Sequence, residues 1–186
     1  MEADWEVEVG GDAPVIEAQW PGFVDLQLAP ERAWDLPEAA GFPALAEALA
    51  RLNAAASPVW TAKCDVWPHL EADAFDSCEL DADPGCAAHA MGCYIDLLPR
   101  SGQQWALPAL AVADCQRVCG LLSAIPLRCC RVDLVIRRAF LTLNFMDMGI
   151  TAYLTSCGAS SAEADRVLQA ALAAFTSALC GHSTLQ

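Results

Sequence analysis

Residues 129–138 read Cys-Cys-Arg-Val-Asp-Leu-Val-Ile-Arg-Arg, and this stretch contains the pattern that best predicts the fold. In it a large or basic residue is followed by an apolar residue, an aspartate and another apolar residue. The pattern occurs four times along the chain, as Phe23-Val24-Asp25-Leu26, Lys63-Cys64-Asp65-Val66, Tyr94-Ile95-Asp96-Leu97 and Arg131-Val132-Asp133-Leu134. Strand side chains alternate between two faces, so each occurrence predicts a strand with one apolar and one polar face.

Five strands are predicted by extending these segments and adding one more. They cover Phe23–Leu28, Val59–Trp67, Cys93–Leu98, Cys129–Arg138 and Ile150–Cys157. In addition, Trp5 and Val7 alternate with Glu6 and Glu8, so the acidic N-terminal arm can add a short edge strand.

Three helices are predicted between and after these strands. Pro43 and Pro108 can each open a helix, because proline is favoured in the first helical turn, and apolar residues at helical spacing extend them to about residues 53 and 124. Ser160-x-x-Glu163 is a capping box, in which the serine accepts from a free helix amide and the glutamate reaches back. It marks the start of a C-terminal helix.

The predicted order of elements is β-α-β-β-α-β-β-α. Its first six elements match a ferredoxin-like split β-α-β core, which a further strand and the C-terminal helix extend. We therefore predict a single α+β domain over residues 1–186, with an antiparallel sheet and the helices on one face. An acidic N-terminal arm (residues 1–20) and an acidic connection (residues 68–92) complete this organisation.

All of the excess negative charge lies in the first half of the chain. The 186 residues include 24 acids and 10 bases, a formal net charge of −14. Residues 1–93 hold 18 acids and three bases, whereas residues 94–186 hold six acids and seven arginines. This surplus argues against non-specific binding of nucleic acid or anionic membranes, which depends on Lys and Arg.

Without a signal-peptide pattern or an apolar run of membrane-spanning length, we expect a soluble, cytoplasmic protein.

The polar side of the predicted sheet is the first candidate site. Strand alternation gathers there Asp25, Lys63, Asp65, Asp96, Arg131, Asp133 and Arg137. One interpretation is a solvated polar face, as antiparallel sheets with one covered face normally have. The other is a metal-dependent phosphoryl-transfer or hydrolytic site, in which carboxylates hold Mg²⁺ or Mn²⁺ and the basic residues hold a phosphate.

Ten cysteines suggest a second candidate site. Without a secretory signal we expect reduced thiols rather than disulfides. Cys78, Cys86, His89 and Cys93 follow a C-x7-C-x2-H-x3-C spacing, and four such ligands could hold a structural Zn²⁺ that staples the acidic connection. The alternative is that these thiols are buried as small apolar groups, which is common for free cysteine.

The segment Phe140–Met148 is too apolar for an exposed hairpin loop. It either folds back under the last helix or forms an interface, since contiguous exposed apolar surface usually marks contacts, and homodimerisation through it is a hypothesis.

Taken together, the sequence favours a binding or interaction protein. A metal-dependent enzyme and a zinc-stapled structural domain are the alternatives.

Overall fold

Six strands and three α-helices form the fold in the computed structural model, which describes residues 1–19, 22–69, 75–83, 86–101, 104–142 and 145–181. The strands are β1 (Glu2–Glu8), β2 (Ile16–Glu17), β3 (Val59–His69), β4 (His89–Pro99), β5 (Cys130–Thr142) and β6 (Phe145–Gly158). The helices are α1 (Pro43–Asn53), α2 (Pro108–Ser123) and α3 (Ser161–Cys180). The predicted α+β class is confirmed.

All six strands belong to one mixed sheet. The order is β1-β5-β6-β4-β3, and β2 pairs with β5 next to the region that β1 covers. The pairs β3–β4, β4–β6 and β6–β5 are antiparallel, but β1 and β2 run parallel to β5. The prediction of a purely antiparallel sheet is therefore wrong. A parallel pair needs a long crossover, and the chain from α1 to α2 supplies it between β1 and β5.

The first predicted strand is the main correction to the topology. Phe23–Leu28 does not form a strand, and residues 26–28 form a turn. Asp25 Oδ1 accepts a hydrogen bond from the backbone N–H of Gln27 at 2.9 Å, a local bond that favours turns over strands. β6 lies between β4 and β5, where a ferredoxin-like order would place the first strand. That specific topology is not confirmed.

The three helices pack together on one face of the sheet and enclose the main core. This core contains Leu45, Leu49 and Leu52 of α1, Cys115, Val118 and Leu122 of α2, Leu168, Leu172 and Phe175 of α3, and the strand residues Ile95, Leu97, Val132, Leu134 and Ile136. The start of α3 has the expected serine cap, and Glu163 reaches back to the residue before the serine. Ser160 Oγ accepts from the backbone N–H of Glu163 at 3.3 Å, and Glu163 Oε2 accepts from the N–H of Ala159 at 2.9 Å.

Two smaller apolar clusters cover the ends of the opposite, polar face. At one end Ile16, Trp60, Leu98 and Ala139 pack together, and at the other end Leu80, Ala90 and Cys157 do so. Between them lies the strip that we call the central polar face. It carries Lys63, Asp65, Trp67, Tyr94, Asp96, Arg131, Asp133, Arg137, Thr151 and Tyr153. In the described ranges, none of the helices combines the length and apolarity that a membrane span requires.

The apolar hairpin Phe140–Met148 connects β5 to β6. Residues 143 and 144, and the side chains of residues 141–146, lie outside the part of the chain that is described. Of the remaining residues, Phe140 is exposed and Met148 is half-buried against the main core. Homodimerisation through this hairpin therefore stays a prediction.

Candidate functional site

The carboxylates of the polar face are staggered across the sheet rather than clustered. One cross-strand row consists of Asp65, Tyr94, Tyr153, Asp133 and Asp4, each opposite the next. Asp65 and Asp133 are thus three strand spacings apart, about 14 Å along the sheet. Asp96 lies in the next row, opposite Thr151, and Asp25 is not on the sheet. Three of the four predicted carboxylates therefore lie on the polar face, as strand alternation predicted, but they do not converge on one point.

Asp96 is the buried acid of the central polar face, only 7% exposed. Its Oδ1 accepts a hydrogen bond from Thr151 Oγ1 at 2.6 Å. Burial raises the pKa of Asp96 above its ordinary value, although the Thr151 hydrogen bond and the charges of Arg137 and Lys63 oppose this shift. A carboxyl that is costly to ionise in the folded protein makes the stability depend on pH.

We expect Asp96→Asn to be more stable than the wild type at pH 7. Because the folded-state pKa is raised, the stability linked to this group is present below its unfolded pKa and is lost as the pH rises through the folded pKa. Asparagine cannot ionise, yet it keeps an oxygen for Thr151. Urea unfolding at pH 7 and pH 4 measures the difference, which should shrink at pH 4.

Asp65→Asn, on the same face but exposed, is the matched control for this prediction. A variant Asp96→Asn that is less stable than the wild type at pH 7, while Asp65→Asn is unchanged, would contradict it.

Arg137 connects several groups of this face. Its Nη1 donates to Thr151 Oγ1 at 3.2 Å and to Tyr153 Oη at 3.0 Å. Its Nε and Nη2 donate to Glu8 Oε2 at 3.0 and 2.7 Å, and its Cζ lies 5.6 Å from the Tyr153 ring centroid. The guanidinium is therefore held by a carboxylate and an aromatic face together, the arrangement of a cation–π contact with a charge-assisted hydrogen bond.

The other predicted basic residues also have acidic neighbours. Arg131 Nε donates to Asp133 Oδ1 at 2.7 Å, and Arg131 Nη2 lies 3.7 Å from Asp4. Lys63 Nζ lies 3.7 Å from Glu17 Oε2. Burial raises the pKa of Asp133, and the hydrogen bond and charge of Arg131 counteract this effect. The acidic surplus of the face is thus partly neutralised from within the chain.

A line of aromatic rings crosses the same face, and the sequence reasoning missed it. Ring centroids lie 6.1 Å apart for Phe75 and His69, 6.0 Å for His69 and Trp67, 6.2 Å for Trp67 and Tyr94, and 6.2 Å for Tyr94 and Tyr153. We call these five rings the aromatic row. Trp67 is two residues from Asp65, and Tyr94 is two residues from Asp96. The strand alternation that predicts the polar face for the two aspartates therefore also predicts it for the two rings.

Gly92 allows the aromatic row to lie close to β4. A Cβ at this position would be 2.6 Å from the Trp67 ring and 2.8 Å from His69 Nε2. Since real Cβ contacts are essentially never shorter than 3.0 Å, any other residue would displace these rings. The glycine is required by close approach rather than by a turn.

Aspartates also protect the edges of the sheet. Asp65 Oδ1 accepts from the backbone N–H of Val66 at 2.8 Å in β3, and Asp4 Oδ1 accepts from that of Trp5 at 2.8 Å in β1. Both strands lie at the edge of the sheet, where unpaired N–H groups invite pairing with another chain. A carboxylate that accepts from such an amide disfavours edge pairing.

The four predicted zinc ligands differ in burial. Cys93 is buried in the main core on the helix face, whereas Cys78, Cys86 and His89 are exposed. Burial strongly raises the pKa of the Cys93 thiol, which disfavours the thiolate that zinc requires. Over the described ranges, no group of three or more His, Cys, Asp or Glu side chains is arranged to hold a metal. Zinc and magnesium binding therefore stay predictions.

Comparison of the chain with models of known protein families, with curated proteins and with solved structures finds no match.

Proposed function

We propose that the protein binds a basic segment of another protein on its central polar face. The observation that carries this proposal is the aromatic row with carboxylates beside it. Flat aromatic faces attract Arg and Lys side chains, and neighbouring carboxylates complete the interaction.

The charge of the face supports a basic partner. Ala3 and Trp5 of β1 pack on the helix side, so the acids that alternate with them lie on the polar side. Acids outnumber bases there: Glu2, Asp4, Glu6, Glu8, Asp65, Asp96 and Asp133 against Lys63, Arg131 and Arg137. Complementary charge steers association and selects the partner.

Arg137 provides an internal example of the proposed contact. Its guanidinium lies over Tyr153 and donates to Glu8. Trp67 and Tyr94 continue the row towards the edge of the sheet, and the exposed Asp65 lies opposite Tyr94 and two residues before Trp67 on the same strand. A partner's arginine placed over these rings would find the same pair of groups. Such contacts contribute about 0.5–2 kcal/mol each, depending on desolvation.

The enzyme hypothesis has less support. Metal-assisted phosphoryl transfer needs two or three carboxylates around one ion, and Asp65 and Asp133 lie at opposite sides of the row. Binding a basic segment needs only accessible rings and unneutralised acids. The aspartate caps on β1 and β3 further favour a partner that lies on the sheet face over one that adds a strand to an edge.

The test is the affinity for a fluorescein-labelled hexa-arginine peptide, measured by fluorescence anisotropy at physiological salt. We expect the double variant Trp67→Ala, Tyr94→Ala to bind about tenfold more weakly, because two cation–π contacts are lost. Gly92→Ala should also weaken binding, since it displaces Trp67. The matched control is Trp34→Ala, at a tryptophan that is 57% exposed and outside the sheet.

The pattern across variants distinguishes specific binding from general attraction to an acidic protein. Tyr94→Phe keeps the ring and should keep the affinity within about twofold. Equal effects of Trp34→Ala and of the Trp67, Tyr94 double variant would overturn the proposal, because bulk charge alone would then explain binding.

A further inference from the structure

A separate cavity lies beside β3, at the edge of the sheet. Its volume is about 410 Å³, it is open on one side, and it is lined by β3, by Tyr94 of β4 and by parts of the segment that runs from Gly22 to Glu38. Small-molecule sites typically have volumes of about 300–1,000 Å³. Only Lys63 and Tyr94 belong to both this cavity and the central polar face.

Apolar side chains form most of the wall. Val24, Leu26, Leu36 and Pro37 contribute from the segment before α1, and Ala62 contributes from β3. Leu26 is buried and belongs to the main core, so this wall is anchored to the folded body. The cavity therefore fits the apolar part of a ligand.

A β-bulge shapes the opposite wall. Thr61 lies opposite Leu97 and Cys64 lies opposite Ile95, so the two residues between them, Ala62 and Lys63, face the single residue Asp96. A bulge bends its strand and re-aims side chains, and bulges are common next to binding sites. Here the bulge places both Ala62 and Lys63 at the cavity.

Glu38 and Lys63 in the lining have opposite charges, and the neighbouring acids Glu17, Asp65 and Asp96 make the surroundings of the cavity net negative. Glu38 contributes an exposed carboxylate to the lining. Lys63 already lies 3.7 Å from Glu17. Burial, together with the negative charges of Glu38, Asp65 and Asp96, raises the pKa of the Cys64 thiol to about 12. A thiol in the wall thus experiences a field that favours positive charge.

We propose that this cavity binds a small organic cation, namely a primary amine on an apolar alkyl or aryl body. The ammonium group pairs with Glu38, and the body lies among Val24, Leu26 and Leu36. The site shares only Tyr94 with the aromatic row, and it does not depend on the peptide-binding proposal.

The test uses three probes of nearly equal size: n-hexylamine, n-hexanol and hexanoate, titrated at pH 7 and followed by amide chemical shifts. Alkylammonium groups titrate near pH 10, so the amine is charged. We expect the amine to bind most tightly and the acid most weakly. Glu38→Gln should weaken amine binding at least about fivefold, whereas Glu31→Gln, an exposed acid of the same segment, should leave it unchanged.

Two further measurements make the outcome decisive. Ala62→Leu should fill the cavity and abolish binding while the variant remains folded by circular dichroism. Glu38→Gln should keep the affinity for hexa-arginine within about twofold, which separates failure of this proposal from failure of the other. Equal affinity for hexanol and hexylamine, tighter binding of hexanoate, or no binding of any probe would overturn the inference.

Discussion

Replacement of Trp105 by alanine is expected to lower the free energy of unfolding by about 3–5 kcal/mol. Trp105 is fully buried in the main core, just before α2. Its indole Nε1 donates to Asp114 Oδ2, in the second turn of that helix, at 2.9 Å. Alanine would leave a cavity in the core and would remove the bond that fixes the chain entering α2. Urea unfolding followed by circular dichroism gives the change directly.

Two variants separate packing from hydrogen bonding at this position. Trp105→Phe keeps most of the ring volume, and Gln104 still lies 3.5 Å from Asp114 Oδ2, so a loss of only about 1–2 kcal/mol is expected. Trp34→Ala removes an exposed tryptophan and should cost less than about 1 kcal/mol. If Trp105→Ala cost no more than Trp34→Ala, the assignment of Trp105 to the core would be wrong.

The periodicity of apolar residues was sufficient to predict the helices and strands that have one apolar and one polar face. α1 begins at Pro43 and ends at Asn53 as predicted, α2 begins at Pro108, and α3 follows the Ser160 cap. β3, β4 and β6 contain the predicted strand segments, and β5 begins at Cys130, one residue after the predicted start. In each case the spacing of the apolar residues indicates which side chains are buried. This works because a helix with one buried face has apolar residues at its 3.6-residue period, and a strand has them at every second residue.

The neighbours of each strand could not be predicted in the same way. Phe23–Leu28 alternates like a strand but turns at Leu26, while the acidic arm forms β1 at the edge of the sheet. Both segments have the alternating pattern, and the choice depends on which one finds a partner strand. Here Trp5 packs against the main core and Met1 donates through its amino group to the carbonyl of Ile125. Those contacts are distant in sequence.

The sequence predicted which face of the sheet carries the candidate site, but it did not predict how the side chains on that face are arranged. Alternation placed Asp65, Asp96 and Asp133 on one face, but it gives no register, and the register puts Tyr94 and Tyr153 between Asp65 and Asp133. The aromatic row draws its rings from β3, β4, β6 and the acidic connection. Its continuity therefore exists only after the sheet has assembled. The aspartates of β1 and β3 also accept edge amides, a role that depends on edge position and not on residue spacing.

Asn53→Ala is the second substitution for which a large effect is expected, a loss of about 3 kcal/mol. Asn53 is fully buried at the end of α1. Its Nδ2 donates to the Leu49 carbonyl at 2.8 Å and to Thr61 Oγ1 at 2.7 Å, and its Oδ1 accepts from the Thr61 backbone N–H at 3.0 Å. Alanine would leave the buried Thr61 amide unpaired, and each unsatisfied buried group costs about 1–3 kcal/mol.

A double-mutant cycle with Thr61→Val tests the Asn53 bonds individually. Valine removes the hydroxyl but keeps the backbone amide, so Asn53→Ala should cost about 1 kcal/mol less in the valine background. Identical costs in both backgrounds would contradict the bond between Nδ2 and Oγ1. Because Thr61 immediately precedes the bulge at Ala62 and Lys63, its amide bond to Asn53 fixes the wall of the cavity to α1. Asn53→Ala should therefore also weaken hexylamine binding, without any change in the residues that line the cavity.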